Sequence, residues 1–333
     1  MLDQIYLFVF GLLLLIKGGD WFVDSASSIA RRFKLPDLLI GATVVSIGTT
    51  LPEVMVSATA AMQGSGGMAY GNAIGSIICN TSLIAATTIA VKPSKVDKKP
   101  MILPVTFFFI AAIFYVLTAY ISGEFTRVTG IVLLALFVTY MVLTVLQMKK
   151  DNGDKSVKVE SIPEPEIAER GDSLLKSILF LIVGAAVIAV GADLLVDNGI
   201  KIAETLGVPE TVISLTFVAL GTSLPELVTA ITALMKGHGA LSLGNIIGAN
   251  LFNLVLVSGV ATVILPFEVP TTTLIGGIRS SFLIDIPVML AVMLILVLPA
   301  LLRGKLSRAQ GISLLAIYAA FCAAQFILPV VLN

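Results

Sequence analysis

Two glutamates end the same short motif at two distant points of the chain. Glu53 closes the sequence Gly-Thr-Thr-Leu-Pro-Glu, and Glu226 closes Gly-Thr-Ser-Leu-Pro-Glu. Thr49 and Thr222 each stand four residues before the glutamate, a spacing that puts a hydroxyl and a carboxylate on one helix face. Both motifs lie inside long apolar runs, and placing one carboxylate at the centre of a membrane costs roughly 2–3 kcal/mol. Two such residues at corresponding places predict a functional site.

The proline before each glutamate removes a helical hydrogen bond. Pro52 cannot donate to the carbonyl of Gly48, and Pro225 cannot donate to that of Gly221. In hydrocarbon, a freed carbonyl is tolerated only where protein, water or an ion meets it. A single proline in a membrane helix is often only a kink. Its occurrence beside a carboxylate in both copies favours a binding site over a kink.

Hydroxyl and amide side chains extend the polar stripe of each motif. The first copy has Ser46 and Thr50, where the second copy has Ala219 and Ser223. Polar residues spaced by four on the next apolar run predict a second wall of the site. This wall consists of Asn72, Ser76 and Asn80 in the first copy and of Asn245, Ala249 and Asn253 in the second, with Asn250 nearby. Asparagines can instead join helices by hydrogen bonds, and that alternative stays open.

The donor set of these motifs is made of oxygen. It combines carboxylates, hydroxyls, amides and backbone carbonyls, and it contains neither sulfur nor imidazole. About six to eight flexible oxygen ligands suit Ca²⁺ better than Mg²⁺, so the pattern predicts a hard-cation site. Two glutamates neutralise one divalent ion or two monovalent ions. Cys79 and Cys322 lie in apolar runs and are interpreted as small hydrophobic residues.

Several other titratable residues are assigned no part in this site. Asp285 has no counterpart in the first copy and is interpreted as structural, and His238 as a loop residue. Four aspartates near the ends of apolar runs are given structural or vestibule roles: Asp20, Asp24, Asp193 and Asp197.

The elements that must position the motifs are membrane helices. Of the 333 residues only 13% are charged, about half the share of a soluble domain, and mean hydropathy is +1.02. A spanning helix needs about 20 apolar residues. Ten segments qualify, namely 5–30, 36–62, 68–91, 101–121, 126–147, 174–204, 209–235, 240–265, 280–302 and 309–331. The predicted fold class is therefore an all-α membrane protein, and its zero net charge gives no sign of nucleic-acid binding.

An internal repeat divides the chain into two halves. Residues 18–80 match 191–253 without a gap, and the two glutamate motifs coincide in this alignment. Each half holds five predicted spans, an odd number, so the second half inserts upside down. Inverted repeats with a broken helix at the same place in each half are typical of secondary transporters. We therefore expect a first repeat at 1–147, a polar linker at 148–173 and a second repeat at 174–333, with helices 2 and 7 broken.

The distribution of basic residues orients the chain. Seventeen of the 21 Lys and Arg residues fall in or beside the loops after spans 1, 3, 5, 7 and 9, and three fall on the opposite side. Loops rich in Lys and Arg stay in the cytoplasm. The linker 148–173 is thus predicted to be cytoplasmic, with both termini outside.

The duplicated motifs resemble those of the cation/calcium exchanger superfamily, which contains the sodium/calcium exchangers. The Gly-Thr-Ser-Leu-Pro-Glu sequence and the downstream Gly-Asn-x-x-Gly block look like its two alpha-repeats, and the likeness covers all ten spans. The chain is most similar to short prokaryotic members, which implies a prokaryotic inner membrane. The resemblance implies that Glu53, Glu226, Thr49 and Thr222 bind Ca²⁺. It also implies flanking Na⁺ sites or a site centre formed by Ser46, Thr50, Ser76, Asn80, Ala219, Ser223 and Asn253, with Asn72 and Asn245 as further candidates.

Two positions depart from related patterns. Members that also depend on potassium carry an aspartate where this chain has Asn253, which speaks against potassium dependence. Ala249 stands where the first copy has Ser76, so one hydroxyl is missing and the sodium sites are expected to be asymmetric.

The expected function is antiport of Na⁺ against Ca²⁺ by alternating access. The transported ions and the lipid bilayer are its partners, and neither a cofactor nor an obligate protein partner is expected. Antiport of H⁺ against Ca²⁺, potassium-dependent exchange and a cation channel stay open as alternatives. An enzyme is not expected, because the spans offer no nucleophile paired with a base.

Overall fold

The chain is almost entirely helical. The computed structural model describes residues 2–33, 35–153, 173–205, 221–270 and 274–332. Within them the helices are α1 Leu2–Arg32, α2 Asp37–Met62, α3 Gly66–Val91, α4 Lys98–Ser122, α5 Arg127–Gly153, α6 Leu174–Thr205, α7 Leu224–Met235, α8 Gly239–Ile264, α9 Ser281–Arg303 and α10 Arg308–Leu332. Four two-residue strands form two antiparallel pairs, β1 Glu124–Phe125 with β2 Phe267–Glu268, and β3 Leu274–Ile275 with β4 Ile278–Arg279.

Eight of these helices are long and apolar enough to cross a membrane: α1 to α6, α8 and α9. Large apolar side chains are exposed along α1, α4, α5 and α6, a surface that suits lipid rather than water. These findings confirm the all-α membrane protein. The arrangement as ten spans in two inverted repeats stays a prediction, since residues 206–220 of predicted span 7 lie outside the described residues. The same holds for 154–172 of the predicted linker, into which α5 extends as far as Gly153.

The predicted break in span 2 is not an interruption of the helix. Pro52 lies inside α2, which continues to Met62, because one lost hydrogen bond leaves the rest of the helical ladder intact. The irregular part of α2 is instead a wide π turn at Gly41–Val45. In the second copy residues 222 and 223 form a turn, and Pro225 lies in the first turn of α7.

The backbones of α2 and α8 cross in close contact. A Cβ atom on Gly244 would lie 2.1 Å from the carbonyl oxygen of Leu38, and one on Gly248 would lie 2.3 Å from Ser46 Oγ. Gly41 on the opposite side of the crossing is equally close to α8. The crossing therefore requires small residues, as in other tightly packed membrane helices. It brings the motif of the first repeat against the asparagine wall of the second.

Loop contacts show which helix ends share a face of the bundle. Lys95 pairs with Lys305 in a single β-bridge, and His238 Nδ1 lies 2.9 Å from Asp37 Oδ2. The loops 92–97, 236–238 and 304–307 therefore lie together on one face, which we call the basic face. The β1–β2 pair joins the connections after α4 and α8 on the opposite face. The loops on the basic face are among those in which the sequence concentrates Lys and Arg.

Candidate functional site

Glu53 and Glu226 lie together in the interior of the bundle. Both side chains are 0% exposed, and none of their four carboxylate oxygens has a hydrogen-bond partner. The two carboxyl groups are close enough to interact electrostatically. Glu53 is carried by α2 and Glu226 by the first turn of α7, so the proline-containing motifs bring them together from the two halves.

Four further buried side chains near the glutamates have unpartnered polar atoms. Thr50 and Ser223 each have a free hydroxyl, and the amides of Asn80 and Asn253 form no hydrogen bond at either end. Ser223 stands at the N-cap of α7 and yet makes no capping bond. Leaving one buried polar group without a partner costs about 1–3 kcal/mol. Six such side chains from α2, α3, α7 and α8 therefore present oxygens of the kind that hard cations prefer.

Asn80 and Asn253 owe their placement to π turns. Each of them is the first residue of a π-helical turn, Asn80–Ala85 in α3 and Asn253–Val257 in α8. A π turn widens the helix locally and is common at functional sites. Ser258 Oγ donates to the Asn253 carbonyl at 3.1 Å, five residues back along the chain. The equivalent place in α3 is Ala85, so this bond exists in one half only. Sequence reasoning missed these turns.

Asn245 holds two residues of the first motif in place. Its Oδ1 accepts a hydrogen bond from Thr49 Oγ1 at 3.2 Å, and its carbonyl accepts from Ser46 Oγ at 2.9 Å. Its Nδ2 donates to Thr229 Oγ1 at 3.3 Å, on α7. Ser46 Oγ also donates to the Gly41 carbonyl at 2.7 Å, alongside the backbone N–H of Ser46. Asn245 therefore connects α2, α7 and α8 around the glutamates.

Asn72 is also a connecting residue rather than a free ligand. Its Nδ2 donates to the Glu53 carbonyl at 3.1 Å and to Ser57 Oγ at 2.8 Å. The sequence left open whether these asparagines bind an ion or join helices. Asn72 and Asn245 join helices. Asn80 and Asn253 remain with free amides.

The other predicted site residues are placed as follows. Ser76 is buried on α3, one turn before Asn80. Thr222 lies half-buried in the turn that precedes α7. Ala219 lies outside the described residues. Within the described part of the chain no group of three or more His, Cys, Asp or Glu side chains could hold a metal ion. Any cation held here must therefore rely on hydroxyls, amides and carbonyls in addition to the two carboxylates.

Two residues interpreted as bystanders in the sequence have specific contacts. His238 lies in the loop before α8, as expected, and its Nδ1 also lies 2.9 Å from Asp37 Oδ2 across the basic face. Cys79 was expected to be a small hydrophobic residue, and it is buried, with its Sγ accepting a 3.9 Å hydrogen bond from Tyr318 Oη. Asp285 accepts a 2.7 Å hydrogen bond from Gln325, which agrees with a structural role.

Comparison with known proteins decides the family. The model of the family described as sodium/calcium exchanger protein matches residues 4–146 and 176–327. The chain belongs to the sodium/calcium exchanger family. It is 36% identical to a putative antiporter, CaxA, of Alkalimonas amylolytica, over 96% of both proteins. It is 32% identical to the sodium/calcium exchanger MaX1 of Methanosarcina acetivorans, over 95% of this chain and 96% of that protein.

A solved exchanger structure shares the fold. The sodium-calcium exchanger NCX_Mj, soaked with Na⁺ and Sr²⁺, is 34% identical and superimposes with a TM-score of 0.77 over 97% of this chain and 99% of the other. This exchanger is therefore an integral membrane protein of a family that transports cations including Ca²⁺. The family consists of transporters rather than enzymes, and the ions are its cargo.

Proposed function

We propose that this exchanger moves Ca²⁺ in one direction and Na⁺ in the other by alternating access. The observation that carries the proposal is the pair of fully buried carboxylates, Glu53 and Glu226, among unpartnered hydroxyls and amides. Ca²⁺ binds to these carboxylates together with Thr49 and Thr222. The names of MaX1 and NCX_Mj, both described as sodium/calcium exchangers, support sodium as the coupled ion.

Sodium ions bind around the same carboxylates in the sodium-loaded state. Thr50, Ser223, Ser76 and the carbonyl of Ala219 supply oxygens on the flanks, and Asn80 and Asn253 complete the centre. Ser46 takes part through Asn245, because its hydroxyl is already bonded to that residue and to Gly41. The two flanks differ, since the second copy has Ala249 where the first has Ser76.

Charge couples the two ions. Two carboxylates are neutralised by one Ca²⁺ or by two Na⁺, so either loaded state can pass through the low-dielectric interior. The empty site keeps two bare charges in a place where even one is costly. It therefore changes access slowly, and net flux requires exchange.

The moving part is the helix pair α1 and α6. These helices pack tightly on each other, with a Cβ on Gly191 only 2.9 Å from the Gly11 carbonyl. Their apolar side chains belong to a cluster distinct from the main core, and this cluster also contains Ile40 and Val45 of α2, Ala233 of α7 and Leu241 of α8. We propose that this pair slides against α2, α3, α7 and α8, which hold the ions. Ten spans in two inverted repeats, 1–147 and 174–333, supply this architecture.

The basic face is the cytoplasmic face. Its Lys and Arg content follows the positive-inside rule. This orientation places the linker 148–173 in the cytoplasm and both termini outside, in the inner membrane of a prokaryotic cell.

Calcium uptake into proteoliposomes tests the proposal. Purified protein is reconstituted, and radioactive Ca²⁺ uptake is measured under a Na⁺, a K⁺ or an H⁺ gradient imposed separately. We expect uptake only with an outward Na⁺ gradient. Uptake driven by the H⁺ gradient alone would identify a proton antiporter, and a requirement for K⁺ would identify potassium-dependent exchange. Calcium flux that needs no counter-ion would indicate a channel.

A further inference from the structure

Asn250 forms hydrogen bonds that connect α8 to α3 and α9 in the interior of the bundle. Its Nδ2 donates to Thr81 Oγ1 on α3 at 2.7 Å and to Met293 Sδ on α9 at 3.1 Å. All three side chains are 0% exposed. Thr81 Oγ1 in turn donates to the Ile77 carbonyl, one helical turn earlier, at 2.8 Å. Because that bond uses the only hydrogen of the hydroxyl, Thr81 can only accept from Asn250, and both N–H groups of the amide are in use.

This connection lies beside both asparagines of the ion site that have free amides. Thr81 directly follows Asn80 at the start of the π turn in α3, and Asn250 stands one turn before Asn253, which begins the π turn in α8. The amides of Asn80 and Asn253 are buried and have no hydrogen-bond partner among the described residues. Their positions therefore depend on the backbones that carry them, and the bond from Asn250 to Thr81 ties those two backbones together.

The connection is specific to one combination of the two repeats. The first repeat has Ile77 at the position equivalent to Asn250, and the second has Leu254 at the position equivalent to Thr81. An apolar residue in place of Asn250 would also avoid a cost, because its Oδ1 is buried and accepts no hydrogen bond within the described part of the chain. A buried amide with an unpaired oxygen indicates that its two N–H groups have a function here.

We propose that Asn250 is a positioning residue for the ion site, because its bond to Thr81 sets the spacing of the two free amides and thereby the affinity for Na⁺. This inference rests on the proposed function, in which these two amides complete the sodium-loaded centre. Ca²⁺ is held mainly by the two glutamate carboxylates on α2 and α7. Loss of the bond therefore affects Na⁺ more than Ca²⁺.

Equilibrium binding to the purified protein in detergent tests this inference. Radioactive Ca²⁺ is titrated alone and then against Na⁺, which gives the Ca²⁺ dissociation constant and the Na⁺ concentration that displaces half of the bound Ca²⁺. Asn250→Leu and Thr81→Val each remove one partner of the bond and keep the approximate size of the side chain. In both variants the displacing Na⁺ concentration is expected to rise about tenfold, the usual effect of removing a group that orients metal ligands, and the Ca²⁺ dissociation constant to stay within about threefold of wild type. Thr81→Ser keeps the hydroxyl and is expected to bind both ions as wild type does.

Two further variants separate positioning from a general packing defect. The double variant Asn250→Leu/Thr81→Val is expected to show no larger shift than either single variant, because both changes remove the same bond. Thr144→Val is the matched control. Thr144 is also 0% exposed and donates to a carbonyl of its own helix, that of Tyr140 on α5, at 2.8 Å. This control is expected to bind both ions as wild type does.

Three results would count against these expectations. Wild-type displacement by Na⁺ in both single variants would overturn the inference, and so would an equal loss of affinity for Ca²⁺ and Na⁺. If Asn250→Leu does not fold, Thr81→Val decides, because it removes the same bond from the other side. Wild-type protein that binds Ca²⁺ but releases none of it to Na⁺ would overturn the proposed sodium exchange, and this inference with it.

Discussion

At the scale of single residues, four asparagines of the two repeats divide into two roles. Asn72 and Asn245 are bonded to neighbouring helices and fix the geometry of the glutamate motifs. Asn80 and Asn253 are fully buried and have unpartnered amides. The difference lies in their surroundings, because the bonded pair meets hydroxyls and carbonyls of adjacent helices. The amides of the free pair have no such partner among the described residues.

The carboxylates themselves give the sharpest test at this scale. Glu53→Gln and Glu226→Gln keep the shape of the side chain and remove one charge each. Each variant is expected to abolish sodium-driven Ca²⁺ uptake, since one remaining carboxylate cannot neutralise a divalent ion in the membrane interior. Uptake by proteoliposomes is the measurement. Substantial exchange by either variant would contradict a shared two-glutamate site.

Asp285 supplies the matched control for these variants. It is a buried acid in α9 that bonds to Gln325 rather than to the site. Asp285→Asn keeps an oxygen to accept that bond, so uptake is expected to persist. Loss of uptake in Asp285→Asn as well would show that neutralising any buried acid impairs the protein. The glutamate variants would then give no evidence for an ion site at Glu53 and Glu226.

At the scale of elements, the crossing of α2 and α8 fixes the distance between the two halves of the site. Gly244 and Gly248 permit a backbone contact that no larger residue allows, and Gly248 lies against Ser46 of the motif. A Cβ atom on the matching glycines of the first repeat, Gly71 or Gly75, would meet no atom of another described element within 4 Å. The stretch that repeat symmetry would place there falls in 206–220, outside the described residues.

A single added methyl group tests this crossing. A Cβ on Gly244 meets the Leu38 carbonyl at 2.1 Å, a contact that backbone movement alone can relieve. Gly244→Ala is therefore expected to cost about 1–3 kcal/mol of stability, as overpacking does. Thermal unfolding in detergent measures the loss. Gly67→Ala is the control, because its new methyl meets only Pro270 at 3.8 Å, and it should be neutral or stabilising. Equal unfolding temperatures for Gly244→Ala and wild type would contradict the close crossing.

At the scale of the whole molecule, ion pairs connect the proposed moving helices to the ion-binding core. Lys236, at the end of α7 on the basic face, lies 3.1 Å from Asp20 and 2.7 Å from Asp24, both on α1. These aspartates are thus partners of a lysine rather than parts of the ion site. If α1 slides against α7, this contact must break in each cycle.

Neutralising the lysine should make that movement easier. Exposed ion pairs contribute at most about 1 kcal/mol, so Lys236→Gln is expected to raise the turnover of exchange about two- to fivefold. The double variant Asp20→Asn/Asp24→Asn should have the same effect, with the Ca²⁺ concentration for half-maximal uptake unchanged in both. Turnover equal to wild type in both variants would show that the pairs do not resist the movement.

Labelling of introduced cysteines tests the orientation of the molecule. In a variant without Cys79 and Cys322, cysteines are placed singly at Lys305 on the basic face and at Glu268 on the opposite face. A membrane-impermeant maleimide is expected to label Glu268→Cys in intact cells and Lys305→Cys only after lysis. The reverse pattern would place the basic face outside.

The amino-acid sequence by itself determined the class of the protein and the identity of its key residues. Its apolar composition and the lengths of its apolar runs predicted a helical membrane protein, because a bilayer accepts only spans of sufficient length whose backbone is satisfied internally. The repeat singled out Glu53 and Glu226. A carboxylate is costly to bury in a membrane, so its presence at the same position of both repeats indicates a function. Such properties depend on residue type and on spacing along one helix, which the sequence contains.

Only the tertiary structure decided how the polar residues divide between binding and support. The spacing of Asn72 and Asn80 on one helix stripe is the same whether they join helices or face an ion, because the difference depends on neighbours distant in the chain. The continuous course of α2 past Pro52 and the π turns at Asn80 and Asn253 depend on packing in the same way.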